Sequence, residues 1–144
     1  MTFTVLRIIS FIVAIVGTTY LIPEAVALYC GETQLIPYFF VPMVVFWIIA
    51  AIFIVVGRKK STTLSIRSSF VVVALSWISV SIYGALPLYL SGAIPDFTDA
   101  IFESVSGFTT TGATILSQIE TLPRTINLWR CQMHWLDEYR ANPV

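Results

Sequence analysis

Long apolar runs separated by short polar connectors dominate the first ninety positions of the chain. Residues 5–28 are apolar apart from Arg7 near the start and Glu24 near the end, and residues 8–23 carry no charge. At ~1.5 Å per residue, that stretch with its flanks crosses a ~30 Å hydrocarbon core, so it predicts a membrane helix. A cleaved signal peptide competes with this reading. Against it stand the single basic residue ahead of the run and the lack of a small-residue cleavage pattern promptly after it. Residues 30–37, with Gly31, Glu32, Thr33 and Gln34, predict a short turn. Residues 38–56 form a second charge-free run, with Pro37 and Pro42 near its start, where proline is best tolerated. It stops at Gly57, ahead of Arg58, Lys59 and Lys60, a helix terminus followed by a membrane-edge anchor. After a polar connector at 61–67, residues 68–90 make the third run, dotted with Ser76, Ser79, Ser81, Gly84 and Ala85. Small residues let helices approach closely in lipid, so this run predicts a helix surrounded by protein, with Pro87 bending its last turn.

The next stretch breaks the pattern. Residues 96–114 read D-F-T-D-A-I-F-E-S-V-S-G-F-T-T-T-G-A-T, too short and too polar for a fourth span. Pro95 and Asp96 mark a helix start, with Asp96 or Thr98 as the cap. Phe97, Ile101, Phe102, Val105 and Phe108 recur at helical spacing. The predicted helix covers about ten residues, Phe97 to Ser106, or roughly 15 Å, half a membrane, and stops at Gly107. A half-length helix entering a bilayer must turn back inside it, and non-helical backbone is tolerated there only when buried in protein or lining a cavity. Thr109 to Ala113 offer carbonyls and threonine hydroxyls, and Gly112 permits backbone angles that align successive carbonyls. Such oxygens can replace the hydration shell of a cation, and the C-terminal end of a helix favours positive charge. The competing reading is an extracytoplasmic loop with a short amphipathic helix and a Thr-rich turn. Glu103 either lines an ion entrance or pairs and hydrogen-bonds behind the loop.

Composition agrees with a membrane setting: 57% of residues are hydrophobic, 11% are charged and the mean hydropathy is +0.86, against ~25% charged in soluble domains. No basic patch of the kind that binds nucleic acid is present. Arg58, Lys59, Lys60 and Arg67 crowd the second connector, while Glu24 and Glu32 flank the first. The positive-inside rule then puts the second connector and the N-terminus in the cytoplasm, and residues 96–114 enter from the outer face. Cys30 and Cys131 follow no metal or redox spacing. With His134 as the single histidine, no imidazole-based catalytic or metal cluster is expected. Asp96, Asp99 and Glu103 lack a His or Cys partner motif, so caps and interface contacts suit them better than acid–base catalysis, and no enzyme is expected.

The run F-E-S-V-S-G-F-T-T-T-G-A-T, followed by L-W-R and then Trp135-Leu136, resembles the TrkH/TrkG potassium-uptake proteins of the Trk/Ktr/HKT superfamily. The resemblance covers most of residues 1–136. It implies an all-α integral membrane fold. Residues 1–60 are an N-terminal two-helix segment, and residues 61–136 are a transmembrane helix, a re-entrant pore helix, a filter loop and the start of a return helix. That unit is the first of four repeats around one potassium pathway. Thr110, Thr111, Gly112 and Ala113 are then the potassium-binding filter positions, acting mainly through carbonyls, with Thr109 and Glu103 as pore support. Potassium is the transported ion, without a tightly bound cofactor. The resemblance also implies a multi-pass place in a bacterial inner membrane, a homodimer and a TrkA-like cytosolic nucleotide-binding regulator. Residues 137–144, D-E-Y-R-A-N-P-V, depart from the family's glycine-rich apolar continuation and are expected to form a divergent polar tail. A truncated product is expected, lacking the rest of the return helix and three further repeats. One strand supplies about a quarter of an oxygen cage, so the chain alone is expected not to conduct. The alternative function is a non-conducting membrane fragment acting only in helix packing.

Overall fold

In hydrocarbon every backbone N–H and C=O must find its partner within the segment, and a helix achieves this. The computed structural model describes residues 2–57, 66–109, 111–117 and 119–141. Over these it contains α1 (Thr2–Thr18), α2 (Leu21–Cys30), α3 (Ile36–Gly57), α4 (Ile66–Leu90), α5 (Phe97–Phe108) and α6 (Arg124–Ala141), with 3-10 turns at Thr33–Leu35 and Ile119–Thr121. Among the described residues, three stretches are long and apolar enough to cross a membrane: Thr4–Cys30, Thr33–Gly57 and Ile66–Leu90. The basic cluster Arg58, Lys59 and Lys60 lies outside the described residues.

The first apolar run, expected as one helix, divides at Thr19 and Tyr20 into α1 and α2. Pro23 accounts for the division, because it has no N–H to donate to the Thr19 carbonyl. The Thr19 and Tyr20 amides donate to Val16 and Gly17 at 3.0 and 3.1 Å in a tightened turn. The Thr19 carbonyl, freed of its i+4 amide, accepts from the Ile22 amide at 3.3 Å and from Gln132 Nε2 of α6 at 2.8 Å. Pro87 acts likewise inside α4, freeing the Tyr83 carbonyl, which accepts from the Tyr20 hydroxyl at 2.6 Å. Side chains from neighbouring helices thus satisfy both carbonyls, and the prolines become points where α1–α2, α4 and α6 are tied together.

Around these ties lies the aromatic core. Tyr20 stacks on Tyr83 with centroids 4.7 Å apart and meets Phe39 and Trp129 edge-on at 5.4 and 4.6 Å. Trp129 is fully buried, and its indole N–H donates to the Gly84 carbonyl at 2.9 Å. α1 packs on α3 and α4, while α5 packs on both α4 and α6. The close α4–α5 approach depends on Gly84: a Cβ there would sit 2.5 Å from Phe108 Cε2 and 2.6 Å from Ser104 Oγ. Within this chain α4 is packed on one side. Val72, Ser76, Val80, Ser81 and Leu88 are buried, whereas Phe70, Val73, Trp77, Ile78 and Ile82 are exposed.

α5 corrects the expected stop at Gly107, for it runs on to Phe108 and is capped by Thr109. Gly107 instead admits α6, since a Cβ on it would lie 3.0 Å from Met133 Cβ. At ~1.5 Å per residue the twelve residues of α5 span ~18 Å, well short of a ~30 Å core. The buried face of α5 is not its apolar one. Ala100, Glu103, Ser104, Gly107 and Phe108 are buried at i, i+3, i+4, i+7 and i+8, while Phe97, Phe102 and Val105 turn outward. In lipid an apolar face gains little by turning inward, whereas small residues permit close helix contact.

Candidate functional site

The site is the loop that follows α5 and the side chains that hold it. Asp96 starts the helix: its Oδ1 accepts from the Thr98 and Asp99 amides at 2.7 and 3.3 Å. Of the two expected caps, then, Asp96 acts and Thr98 is capped. At the other end the chain leaves the helix through local bonds. The Thr109 amide and hydroxyl both donate to the Val105 carbonyl, at 3.0 and 2.7 Å, and the Thr111 amide donates to Ser106 O at 3.2 Å. The Thr109 and Thr111 hydroxyls lie 2.8 Å apart. Gly112 has φ +71°, the left-handed region that favours glycine, and nothing lies within 4 Å of where its Cβ would be. Its requirement is therefore backbone conformation rather than space.

Two residues of α5 then fasten the outgoing strand. Ser106 Oγ donates to the Ala113 carbonyl at 2.6 Å. Glu103, 1% exposed, accepts from the Thr114 hydroxyl at 3.0 Å on each oxygen and from the Ile115 amide at 3.3 Å. Arg130 of α6 completes the arrangement, its Nε donating to Glu103 Oε1 while its Nη1 donates to Asn127 Oδ1 at 3.3 Å. A buried carboxylate is costly to desolvate unless paired and hydrogen-bonded, and here the guanidinium, a hydroxyl and an amide meet it. Glu103 thus joins three pieces of chain: α5, the loop and α6.

α6 is positioned from its own N-terminus by Glu32, which sits in the α2–α3 connector after Gly31 (φ +77°) closes α2. Glu32 Oε1 accepts from the Arg124 amide at 3.0 Å, and Oε2 accepts from the Thr125 amide and hydroxyl at 2.9 and 2.6 Å. Helix N-termini present free amides and partial positive charge, which suits a carboxylate. Partial burial pushes the Glu32 carboxyl up, but the Thr125 and Arg124 hydrogen bonds and the Arg124 charge outweigh it. The net effect holds it below the usual carboxylate range.

The sequence-derived residues fall unequally around this site. Thr109, Thr111, Gly112 and Ala113 come together in the loop, and Glu103 lies behind it with its pairing role filled; Thr110 lies outside the described residues. Residues 111–115 are exposed on the surface of the chain. Among the described residues no group of His, Cys, Asp or Glu is arranged to hold a metal ion. The sequence assigned no role to Ser106, Thr114 or Arg130, and Glu32 figured only in a turn and in the charge balance of the connectors. The i, i+3 spacing of Glu103 and Ser106 was the available signal for one shared face. A cleft of about 240 Å³ between α1 and α4, bounded by Phe108 and Leu136, is lined by apolar side chains with Ser76 as its polar member, and suits no polar cofactor.

Three apolar spans with a half-length helix and a polar glycine loop packed beside them make this a multi-pass helical membrane protein. Comparison with known proteins narrows that class. Residues 36–140 match the family model TrkH, described as a cation transport protein. The chain is 35% identical over 132 residues to an uncharacterised cation transporter, MJ1485, of Methanocaldococcus jannaschii, covering 92% of this chain and 27% of that protein. It is 36% identical over 137 residues to the Trk system potassium uptake protein TrkH of Escherichia coli K12, covering 90% of this chain and 27% of that protein. TrkG of the same organism is 34% identical over 128 residues, covering 88% and 26%. The chain belongs to the TrkH cation transport protein family, whose members are transporters and not enzymes. It spans about a quarter of the length of these relatives, and the family match runs into residues 137–140.

Proposed function

We propose that this chain carries one strand of a monovalent-cation pathway in a potassium-uptake membrane subunit. α5 is its pore helix and residues 109–113 are the cation-facing loop. The observation that carries this reading is the double fastening of a glycine-turned, oxygen-rich strand to one face of a half-length helix, through Ser106 to Ala113 and through Glu103 to Thr114 and Ile115. Fastening of this kind fixes the direction in which backbone oxygens point, which is what replacing a cation's water shell demands. In this reading Thr111 and Gly112 present carbonyls to the ion, and Thr110 joins them by its place in the motif. Ala113, whose carbonyl already accepts from Ser106, keeps a second lone pair for the ion. Thr109 and Glu103 act as supports. Exposure of residues 111–115 accords with a strand that forms one wall of a pathway and requires others.

The relatives that share this stretch are Trk system potassium uptake proteins, which makes potassium the proposed substrate. The same reading places the chain in a bacterial inner membrane, with the N-terminus cytoplasmic on the strength of the basic residues at 58–67. A homodimer and a TrkA-like nucleotide-binding regulator are the proposed partners. A second reading, a non-conducting fragment that only packs against other helices, is favoured by the outward apolar faces of α4 and α5. The test is a chimera in which residues 36–140 replace the matching segment of Escherichia coli TrkH, expressed in cells lacking potassium uptake. The chimera is expected to restore growth at low potassium, and Gly112→Ser in it to reduce discrimination of rubidium against sodium. A chimera that reaches the membrane in normal amount yet restores nothing would sink the pathway reading. So would unchanged selectivity in the Gly112→Ser variant. The 144-residue chain alone is expected to restore no uptake.

A further inference from the structure

Glu24 is the only acidic residue within the three apolar spans. It is 9% exposed, and its Oε1 has no hydrogen-bond partner among the described residues. Four further buried side-chain oxygens share that condition: Ser76 Oγ, Ser104 Oγ, Tyr83 Oη on α4 and Gln132 Oε1 on α6, and the last two bear on Glu24. The Tyr83 and Gln132 side chains reach the junction at Thr19 and Tyr20, and Glu24 follows it by one helical turn. The Glu24 amide donates to the Tyr20 carbonyl at 3.1 Å, the Tyr83 ring stacks on Tyr20, and Gln132 Nε2 donates to the Thr19 carbonyl. That last bond orients the Gln132 amide, leaving its oxygen as an acceptor in need of a donor. The Glu24 carboxyl lies within electrostatic reach of the Tyr83 hydroxyl.

Among the described side chains, the cations on the elements packed here are committed elsewhere. Arg124 stands beside Glu32 at the start of α6, Arg130 binds Glu103, and Arg7 donates to the Gly57 carbonyl at 3.2 Å. Arg67 is at the far end of α4, and His134 and Cys131 on α6 are not buried. α3 contributes Tyr38 as its titratable side chain, and the junction itself contributes Tyr20 and Tyr83. An ionised Glu24 would therefore stand as an unpaired charge in a low-dielectric interior, and as an acceptor only it would leave Gln132 Oε1 unmatched. A neutral carboxyl offers one donor and one acceptor. The donor suits Gln132 Oε1, and the acceptor suits the Tyr83 O–H through one bridging water, since Tyr83 Oη has no direct partner among the described residues.

We infer that Glu24 is a proton-binding site within the membrane-spanning part of the chain. It holds its proton at neutral pH as donor toward Gln132 and acceptor from Tyr83. The site is separate from the loop at 109–116 and does not depend on the pathway reading. Because its members come from α2, α4 and α6, loss of the proton would leave a charge at the point where these helices meet, linking proton occupancy to their packing.

Difference infrared spectroscopy on the full chain in lipid at neutral pH tests this. A protonated-carboxyl stretch that shifts in heavy water is expected in the unmodified protein and in Gly112→Ala, and is expected to vanish in Glu24→Gln. Glu24→Gln replaces a neutral group by one of like shape, so its melting temperature should stay within about 3 °C of the parent. Tyr83→Phe serves as the second variant: it keeps the band but shifts its frequency by removing one hydrogen bond. Absence of a band that Glu24→Gln removes would overturn the inference. So would a melting temperature that rises with sodium or potassium against a bulky organic cation at equal ionic strength and loses that rise in Glu24→Gln. That outcome would show an ionised carboxylate holding a metal cation.

Discussion

Replacing Arg130 by methionine keeps the length and most of the apolar stem of the side chain but removes the one cation that meets Glu103. Glu103 is 1% exposed and Arg130 8%, so neither charge has water to fall back on. Breaking a buried pair from one side leaves the other charge uncompensated, at about 3–5 kcal/mol. For a chain of this size 1 kcal/mol moves the melting temperature by about 2–4 °C, so Arg130→Met should melt about 6–20 °C below the parent. Glu103→Gln should fall in the same direction, because it strands the guanidinium on Asn127 alone. The double variant Glu103→Gln/Arg130→Met removes both charges and should melt well above the sum of the single losses, giving a coupling of about 2–3 kcal/mol. Circular-dichroism melting of the full chain in detergent measures these four proteins. Hydrogen exchange adds a local readout: the Ile115 amide, held by Glu103 Oε2 at 3.3 Å, should exchange faster in Arg130→Met. A coupling below about 0.5 kcal/mol, or an Ile115 amide that exchanges as in the parent, would refute the assignment of Glu103 as the joint between α6 and the loop.

Three further outcomes follow from other contacts. Glu32, held below the usual carboxylate range, contributes stability that is present above its unfolded value of 4.5 and lost as pH falls through its lower folded value. Glu32→Gln should therefore cost about 1 kcal/mol at neutral pH and flatten the acid limb of a melting-temperature profile. Gly84→Ala should destabilise by about 1–3 kcal/mol in the same melting assay, since the added methyl meets Phe108 and Ser104 at 2.5 and 2.6 Å. Tyr20→Phe leaves the carbonyl freed by Pro87 without its side-chain donor and should cost about 1–3 kcal/mol, read as earlier unfolding in a denaturant titration.

These contacts also mark how far the residues announce themselves in the chain. The three spans were legible because a charge-free apolar run of sufficient length has few alternatives to a membrane helix. Asp96 was legible as a cap because capping is a local rule operating over three residues. Prolines told half of their story: Pro23 and Pro87 identify the carbonyls of Thr19 and Tyr83 as freed, but not Gln132 and Tyr20 as the groups that meet them. Arg130 is 27 residues from Glu103 and Glu32 is 92 from Arg124, separations that no local pattern spans. Gly107 was read as a helix stop, and the structure makes it instead a point of close contact with α6. Ala100, Glu103, Ser104 and Gly107 fall on one stripe of α5, and that stripe is the buried one, while Phe97, Phe102 and Val105 face out. Hydrophobic periodicity assumes water outside the protein. Where lipid takes that place, the small and polar stripe marks the packed face, and it is this face that carries both residues fastening the loop.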